Sequence, residues 1–294
     1  MTRFSLVMAT RGRTTEVAEF LDSALAQGRE AADIEVIVVD QNGDDRLVPV
    51  LAPYADRVAL THLRSAVANA NHARNLGLSA ARGAIVGFPD DDCLYPEGLL
   101  DRVASAFERD PAMMLLTGPA ESPAGGLGSG RWREEAGPID AATVWTSVIE
   151  FNLWLRRPLA LALGGFDEDM GPGTPIGSAE GNDLVLRAVS AGHVARYEPT
   201  LRVIHPDKRL TDVAVARARL YGRGLGFALR RHGVPVGTWL PFAIRPLGGA
   251  LLSLAKARPR DAAYYAMTLL GRAEGFLCSN AATGRVRPAI KGAA

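Results

Sequence analysis

Cysteine is nearly absent from this chain of 294 residues: Cys93 and Cys278 stand far apart, at no metal-binding or redox spacing. A disulfide framework and a thiolate metal site are thereby excluded, and the pair is expected to be reduced thiols in a cytoplasmic protein. Long uncharged apolar runs are missing too. The most apolar stretch, Trp239 to Ala257, carries Arg245, Lys256, Pro241 and Pro246, whereas a spanning helix needs roughly 20 mostly apolar residues. No transmembrane segment is expected, and the opening MTRFSLVMATRGR meets arginines too early for a secretory signal. A third absence is local: from Val213 to Arg260 there is no Asp or Glu, although the whole chain has a formal net charge of only +1.

What is present suits an ordinary folded protein, with 48% hydrophobic and 22% charged residues. Short apolar runs at Phe4–Ala9, Ile34–Val39, Val58–Leu63, Ala84–Phe88 and Met113–Thr117 read as strands. Helical patterns fall between them at Thr15–Ala26, Asn71–Ala81 and Leu99–Arg109. Near-continuous apolar strands alternating with amphipathic helices predict an α/β domain with a mostly parallel sheet. Pro119–Gly130 reads as a loop, Thr143–Leu155 as a strand or helix, Asp183–Ala191 as a helix and Val194–Ile204 as a strand. From Asp212 onward the pattern is helical and broken by prolines. The expected division is therefore a domain over 1–211 and a basic, amphipathic helical region over 212–294.

Ligands of such sheets bind beyond the carboxyl ends of the strands. Arg11 follows the first strand, Asp40 ends the second, and Asp90, Asp91 and Asp92 end the fourth. Asp40 by itself can be a turn former. Three adjacent carboxylates are different: in a partly buried site they stay ionised together only if positive charge joins them. Magnesium or manganese fits that role, since either takes one or two protein carboxylates and completes its shell with water and phosphate. The plainer alternative is a solvated Asp-rich turn, which the apolar strand before and LYP after disfavour.

The segments VMATRGR, VIVVDQNGDD, NHARNLGLSAARGAIVGFPDDDCLYP and GGFDEDMGPGTPIGSAEGNDLVLRA occur in this order. Together they resemble a family 2 glycosyltransferase with the GT-A fold, a Rossmann-like sheet flanked by helices, over about residues 1 to 210. The resemblance implies an inverting enzyme that uses a nucleotide-sugar donor, UDP-linked in the favoured reading. It places Thr10 and Arg11 by the nucleotide base, with Asp40 accepting from the ring N–H. Arg74 would lie near the pyrophosphate, Asp90 and Asp91 would serve the ribose, and Asp92 the divalent cation (Mn2+ or Mg2+). His205, in VIHPDK, matches a histidine near the metal or diphosphate; a lone histidine is otherwise structural.

The departure from pattern concerns the general base. Similar enzymes carry an acid at the second position of an E-D-x-D-like segment, where this chain has Gly181. Glu180 is the first expectation for the base and Asp183 the second. Asp183 can instead cap its helix and pair with Arg187 at i,i+4. The loop GPGTPIGS is expected to shape the sugar and acceptor pocket. The basic tail interleaves arginines with Trp239, Leu240, Phe242, Leu247, Leu251, Leu252 and Leu254, which suits peripheral contact with an anionic membrane face and a glycan or lipid-linked acceptor. Its alternative is a helical layer with a solvated basic face. No nucleic-acid module is recognisable, and GRGLG at Gly222–Gly226 follows no strand as a dinucleotide loop would. The rival function is a GT-A-shaped protein without activity that binds glycan or membrane, for which Gly181 is the motive. A sugar-1-phosphate nucleotidyltransferase would need a glycine-rich, arginine-bearing loop after the first strand, which is lacking.

Overall fold

Every residue of Ile34–Asp40 is buried, as a mostly apolar run implies for a strand covered on both faces, and the carboxylate within it, Glu35, accepts from Ser5, Arg82 and Gly83. A computed structural model describes residues 3–28, 30–207, 211–278 and 290. Its strands are β1 (Phe4–Thr10), β2 (Ile34–Asp40), β3 (Ala59–Arg64), β4 (Ile85–Gly87), β5 (Met113–Thr117), β6 (Ala120–Glu121), β7 (Gly137–Pro138), β8 (Leu153–Arg156), β9 (Val194–Tyr197) and β10 (Val203–Ile204). The helices are α1 (Thr15–Leu25), α2 (Val48–Leu51), α3 (Ala70–Ala80), α4 (Leu99–Arg109), α5 (Arg157–Ala162), α6 (Glu180–Ser190), α7 (Asp212–Arg231), α8 (Val236–Ala255) and α9 (Pro259–Cys278).

Eight strands form one sheet in the order β3-β2-β1-β4-β8-β5-β9-β7. It is mostly parallel, as expected; β8 runs antiparallel to both neighbours, and β7 antiparallel to β9. Helix α1 buries Val17, Phe20, Leu21 and Ala24, one face at helical spacing, and shares a core with α4 on one side of the sheet. Helices α3, α5 and α6 build the second core on the other side. Cys93 is buried, which pushes its thiol up and leaves it unreactive.

Three expectations change. Val194–Ile204 is not one strand: Pro199 cannot donate to a ladder, the chain turns there, and β9 and β10 join different sheets. The loop expected at Pro119–Gly130 contains β6, which pairs with β10. The prolines do not break α8, which contains both Pro241 and Pro246. Pro246 cannot donate to the carbonyl of Phe242, and Arg272 of α9 donates to that oxygen instead. The part of the expected helical region at 279–289 and 291–294, and Lys208 of VIHPDK, lie outside the described residues.

The GRGLG segment lies inside α7, where its outer glycines serve packing. Gly222 and Gly226 of α7 face the backbone of α9 near Thr268 and Arg272, and Gly271 and Gly275 of α9 face that of α7 near Arg219 and Arg223. Such close approach leaves no room for a side chain. The tail's positive charge is also partly consumed within the chain. Arg219 and Arg223 pair with Glu274, Arg260 with Asp212, and Arg231 with Asp167.

Asp183 fastens α7 to the sheet domain. It is wholly buried on α6, accepting from Arg187 at 2.9 Å and from His232 at 2.9 Å, with Arg231 at 3.5 Å. Burial alone would raise its pKa, but the His232 hydrogen bond and the charges of Arg187 and Arg231 outweigh it and hold the carboxyl at about 2. The i,i+4 pair is thus present, but the helix cap is not, for Ala179 occupies that position without a side-chain bond.

Two stability measurements test this packing. Replacing Gly275 by Ala puts a Cβ 1.9 Å from the carbonyl oxygen of Arg223, so urea unfolding is expected to show a loss of about 1–3 kcal/mol. Asp183→Ala leaves buried cations unpaired and is expected to cost about 3–5 kcal/mol at neutral pH. Because the folded pKa lies below the ordinary 3.8, the carboxylate stabilises above that value and the benefit is lost as pH falls toward about 2. The gap between wild type and variant should therefore close across that acid window.

Candidate functional site

The parallel register of the central strands sets their carboxyl ends side by side. Thr10 pairs with Asp40 at the ends of β1 and β2, and a bridge from Ala9 to Asp90 carries the alignment past β4. The chain after Asp92 is then fixed by a two-way backbone pairing, Leu94 N–H to Ile204 O at 2.8 Å and Ile204 N–H to Leu94 O at 3.0 Å. That pairing delivers His205, distant in sequence, to the aspartates.

His205 Nε2 lies 3.3 Å from Asp92 Oδ1 and 3.8 Å from Asp90 Oδ2. Its ring stacks on Phe151, with centroids 4.4 Å apart and planes at 8°. Nδ1 lies 2.8 Å from the carbonyl of Pro206, so that nitrogen carries the donated proton and Nε2 faces the carboxylates. Burial opposes protonation of the ring, but Asp92's hydrogen bond and charge prevail, so the imidazole pKa is raised. Asp92 is correspondingly lowered against its own burial, through His205 and Arg13. One ligand atom from each of Asp90, Asp92 and His205 falls within 4.8 Å of the others. Two carboxylate oxygens and one imidazole nitrogen form a donor set that fits manganese, and magnesium through the carboxylate oxygens alone.

Arginines balance the aspartates. Asp91 accepts from Thr10 Oγ1 at 2.7 Å and from Arg13, and burial, the largest influence, raises its pKa. Arg13 also reaches Asp92 at 2.7 Å. Arg74, almost fully buried, donates to Asp90 at 2.9 Å and to Asn71 at 2.9 Å, and lies 3.4 Å from Glu180. Helix α3 aims Arg74 because Asn69 caps it, accepting from Asn71 and His72, while Asn71 ties it to the carbonyls of Asp167 and Met170. Two guanidiniums thus supply part of the positive charge that the acidic run requires.

Among the expected binding residues, Thr10, Arg74, Asp90, Asp91, Asp92 and His205 converge, and Arg11 is exposed nearby at the β1 end. The Asp40 side chain is wholly buried, one oxygen accepting twice from Asn42 and the other facing His62 at 3.0 Å. It clasps the turn after β2.

Glu180 opens α6 just after Ala179, a non-glycine residue at φ 68°, an unfavourable conformation that fixes the helix entry. Burial, then the charge of Glu150, push its pKa up to about 8, against the pull of Arg74. Asp183, the second candidate base, is absent from this cluster because it is locked to α7. Arg13 and Glu150 were not expected; no spacing links either to its partners, which come from other segments. The GPGTPIGS loop, with Asn69, Glu168 and Asp169, lines a cleft of about 400 Å³ that none of the three clustered aspartates borders.

The family model for glycosyl transferase family 2 matches residues 5–155, just over half of the 294. The uncharacterized glycosyltransferase EpsJ of Bacillus subtilis is 33% identical over 95 residues, 32% of this chain and 27% of that one. The poly(ribitol-phosphate) beta-N-acetylglucosaminyltransferase TarS of Staphylococcus aureus is 28% identical over 119 residues, 40% of this chain and 21% of that one. The matches thus span about a quarter of the length of these curated relatives. Among solved structures, TarS residues 1–349 with UDP-GlcNAc superposes with TM-score 0.61 at 16% identity, over 91% of this chain and 90% of the other. The mannosyltransferase PcManGT of Pyrobaculum calidifontis, with GDP-Man and Mn2+, gives 0.63 at 18% identity, over 95% and 88%. The fold is the GT-A arrangement of those enzymes, and the chain belongs to glycosyl transferase family 2.

Proposed function

We propose that the protein is an inverting, metal-dependent glycosyltransferase that moves a sugar from a nucleoside diphosphate donor, UDP-linked first, to the hydroxyl of a glycan or lipid-linked saccharide. The observation that carries this reading is the convergence of Asp90, Asp92 and His205 beside the buried guanidinium of Arg74. Asp90, Asp92 and His205 would hold Mn2+, or the two aspartates Mg2+, and either ion as a Lewis acid stabilises charge on the departing diphosphate. Arg74 would add charge-assisted bonds to that diphosphate. Thr10 and Arg13 hold Asp91 for the ribose, and the nucleobase would lie between Arg11 and the turn clasped by Asp40. UDP-GlcNAc and GDP-Man in the solved relatives support a nucleotide-sugar donor, and Mn2+ in one of them supports the cation.

The surface of α8 supports a membrane-proximal acceptor. Val236, Leu240, Ile244, Leu247, Leu251 and Leu254 are exposed at three- and four-residue intervals, with Arg245, Lys256 and Arg258 also exposed. Among the described residues no helix is long and apolar enough to cross a membrane. An apolar stripe with neighbouring cations instead suits a helix lying at an anionic lipid surface.

Calorimetric titration with UDP should show binding that strengthens at least tenfold with MnCl2, a gain lost in Asp92→Ala and His205→Ala. No heat with or without manganese would contradict the donor reading. Cosedimentation with phosphatidylglycerol vesicles should exceed that with phosphatidylcholine and fall sharply in Leu247→Glu/Leu251→Glu. Equal pelleting of wild type and variant would contradict the lipid contact.

A further inference from the structure

Gly181 stands where similar enzymes are expected to carry the base, yet the space beside it holds a carboxylate. A Cβ built on Gly181 would lie 2.7 Å from Glu150 Oε1 and 3.0 Å from both Cγ and Cδ of that residue. The Gly181 N–H donates to the same Oε1 at 3.0 Å. Any side chain at 181 would therefore displace Glu150, and the glycine is what admits it. The segment presenting Glu150 is rigid. It is the 3-10 turn Glu150–Asn152 before β8, anchored by Asn152 to the carbonyls of Pro119 and Leu201, and its Phe151 braces His205. Glu150 is partly exposed, whereas Glu180 is buried against Arg74, so of the two glutamates Glu150 is the one accessible from solvent.

We propose that Glu150 is the general base of the transfer reaction, its carboxylate taking the place of the acid missing at position 181. This rests on the glycosyltransferase reading and names the group that reading leaves open. The acceptor hydroxyl gives its proton to a Glu150 oxygen while its oxygen lone pair forms the bond to the anomeric carbon. The bond from that carbon to the phosphate oxygen breaks, and its electron pair leaves with the nucleoside diphosphate. Glu180 is a positioning residue: raised to about 8, it retains a proton near neutral pH, so the two glutamates need not both be charged.

The test uses the full chain and release of nucleoside diphosphate from UDP-GlcNAc, UDP-Glc and GDP-Man in MnCl2, with water standing in for the acceptor hydroxyl. Glu150→Gln should lower kcat by roughly 10²–10⁴-fold while donor KM and calorimetric UDP affinity stay as in wild type. Gly181→Asp alone should also lose activity, because its side chain displaces Glu150. In the Glu150→Ala background the same Gly181→Asp change should recover at least tenfold over Glu150→Ala. A wild-type kcat in Glu150→Gln overturns the assignment. So does a loss of UDP affinity that accounts for the whole effect, or a double variant no better than Glu150→Ala. If wild type binds UDP with manganese yet releases nothing from any donor, the transfer reading and this assignment fall together, while the nucleotide site stands.

Discussion

The guanidinium of Arg74 holds together two acids from distant segments of the chain, Asp90 and Glu180. It contacts Asp90 on one side and Glu180 on the other, and stacks over Phe166 with its carbon 5.3 Å from the ring centroid. A buried cation is costly to desolvate, and it persists here because Asp90, Glu180 and Asn71 occupy its donors. Much of the surrounding structure follows from that need. Asn69 and Asn71 fix α3, the loop through Asp167 and Met170 closes over it, and the turn at Ala179 brings Glu180 within reach. One buried charge therefore connects the proposed diphosphate region with the proposed acceptor region.

The two regions share a second brace. β8 runs antiparallel between β4 and β5, and the turn leading into it carries both Glu150 and Phe151. Glu150 reaches the N-terminus of α6, while Phe151 stacks on His205. A shift of that turn would disturb the proposed proton acceptor and the proposed cation ligand together. On the opposite flank, Asp183 binds α6 to α7 through Arg231 and His232, so the helical appendage is anchored to the same helix that begins with Glu180. The appendage is thus tied to the site mechanically, while its lipid-suited stripe lies on a different helix, α8.

The α/β architecture was legible because its signals are local: IEVIVV, short and rich in β-branched residues, reads as a buried strand, and strand ends rich in acids mark the ligand edge of a sheet. Asp90 to Asp92 were singled out for that reason and His205 through the family resemblance, and the fold brings Asp90, Asp92 and His205 together. Other features depend on contacts between distant segments and left no periodic trace. Arg13 lies 78 residues from Asp91, and Glu150 31 residues from Gly181. Gly181 read as a deficiency, since a sequence shows the missing side chain and not the neighbour that fills its space. The burial of Asp40 likewise depends on its contacts with Asn42 and His62. Pro246 looked like a helix breaker because the donor that satisfies the freed carbonyl, Arg272, comes from another helix.

The central claim is that two aspartates and one histidine hold a divalent ion against a nucleoside diphosphate. Pulsed electron paramagnetic resonance of Mn2+ bound to the protein with UDP addresses it most directly. The account predicts one tightly bound ion with nitrogen coupling from a single imidazole, together with phosphorus coupling from the diphosphate. The nitrogen signal should vanish in His205→Ala. A spectrum of hydrated manganese with neither coupling, in the presence of saturating UDP, would contradict the account.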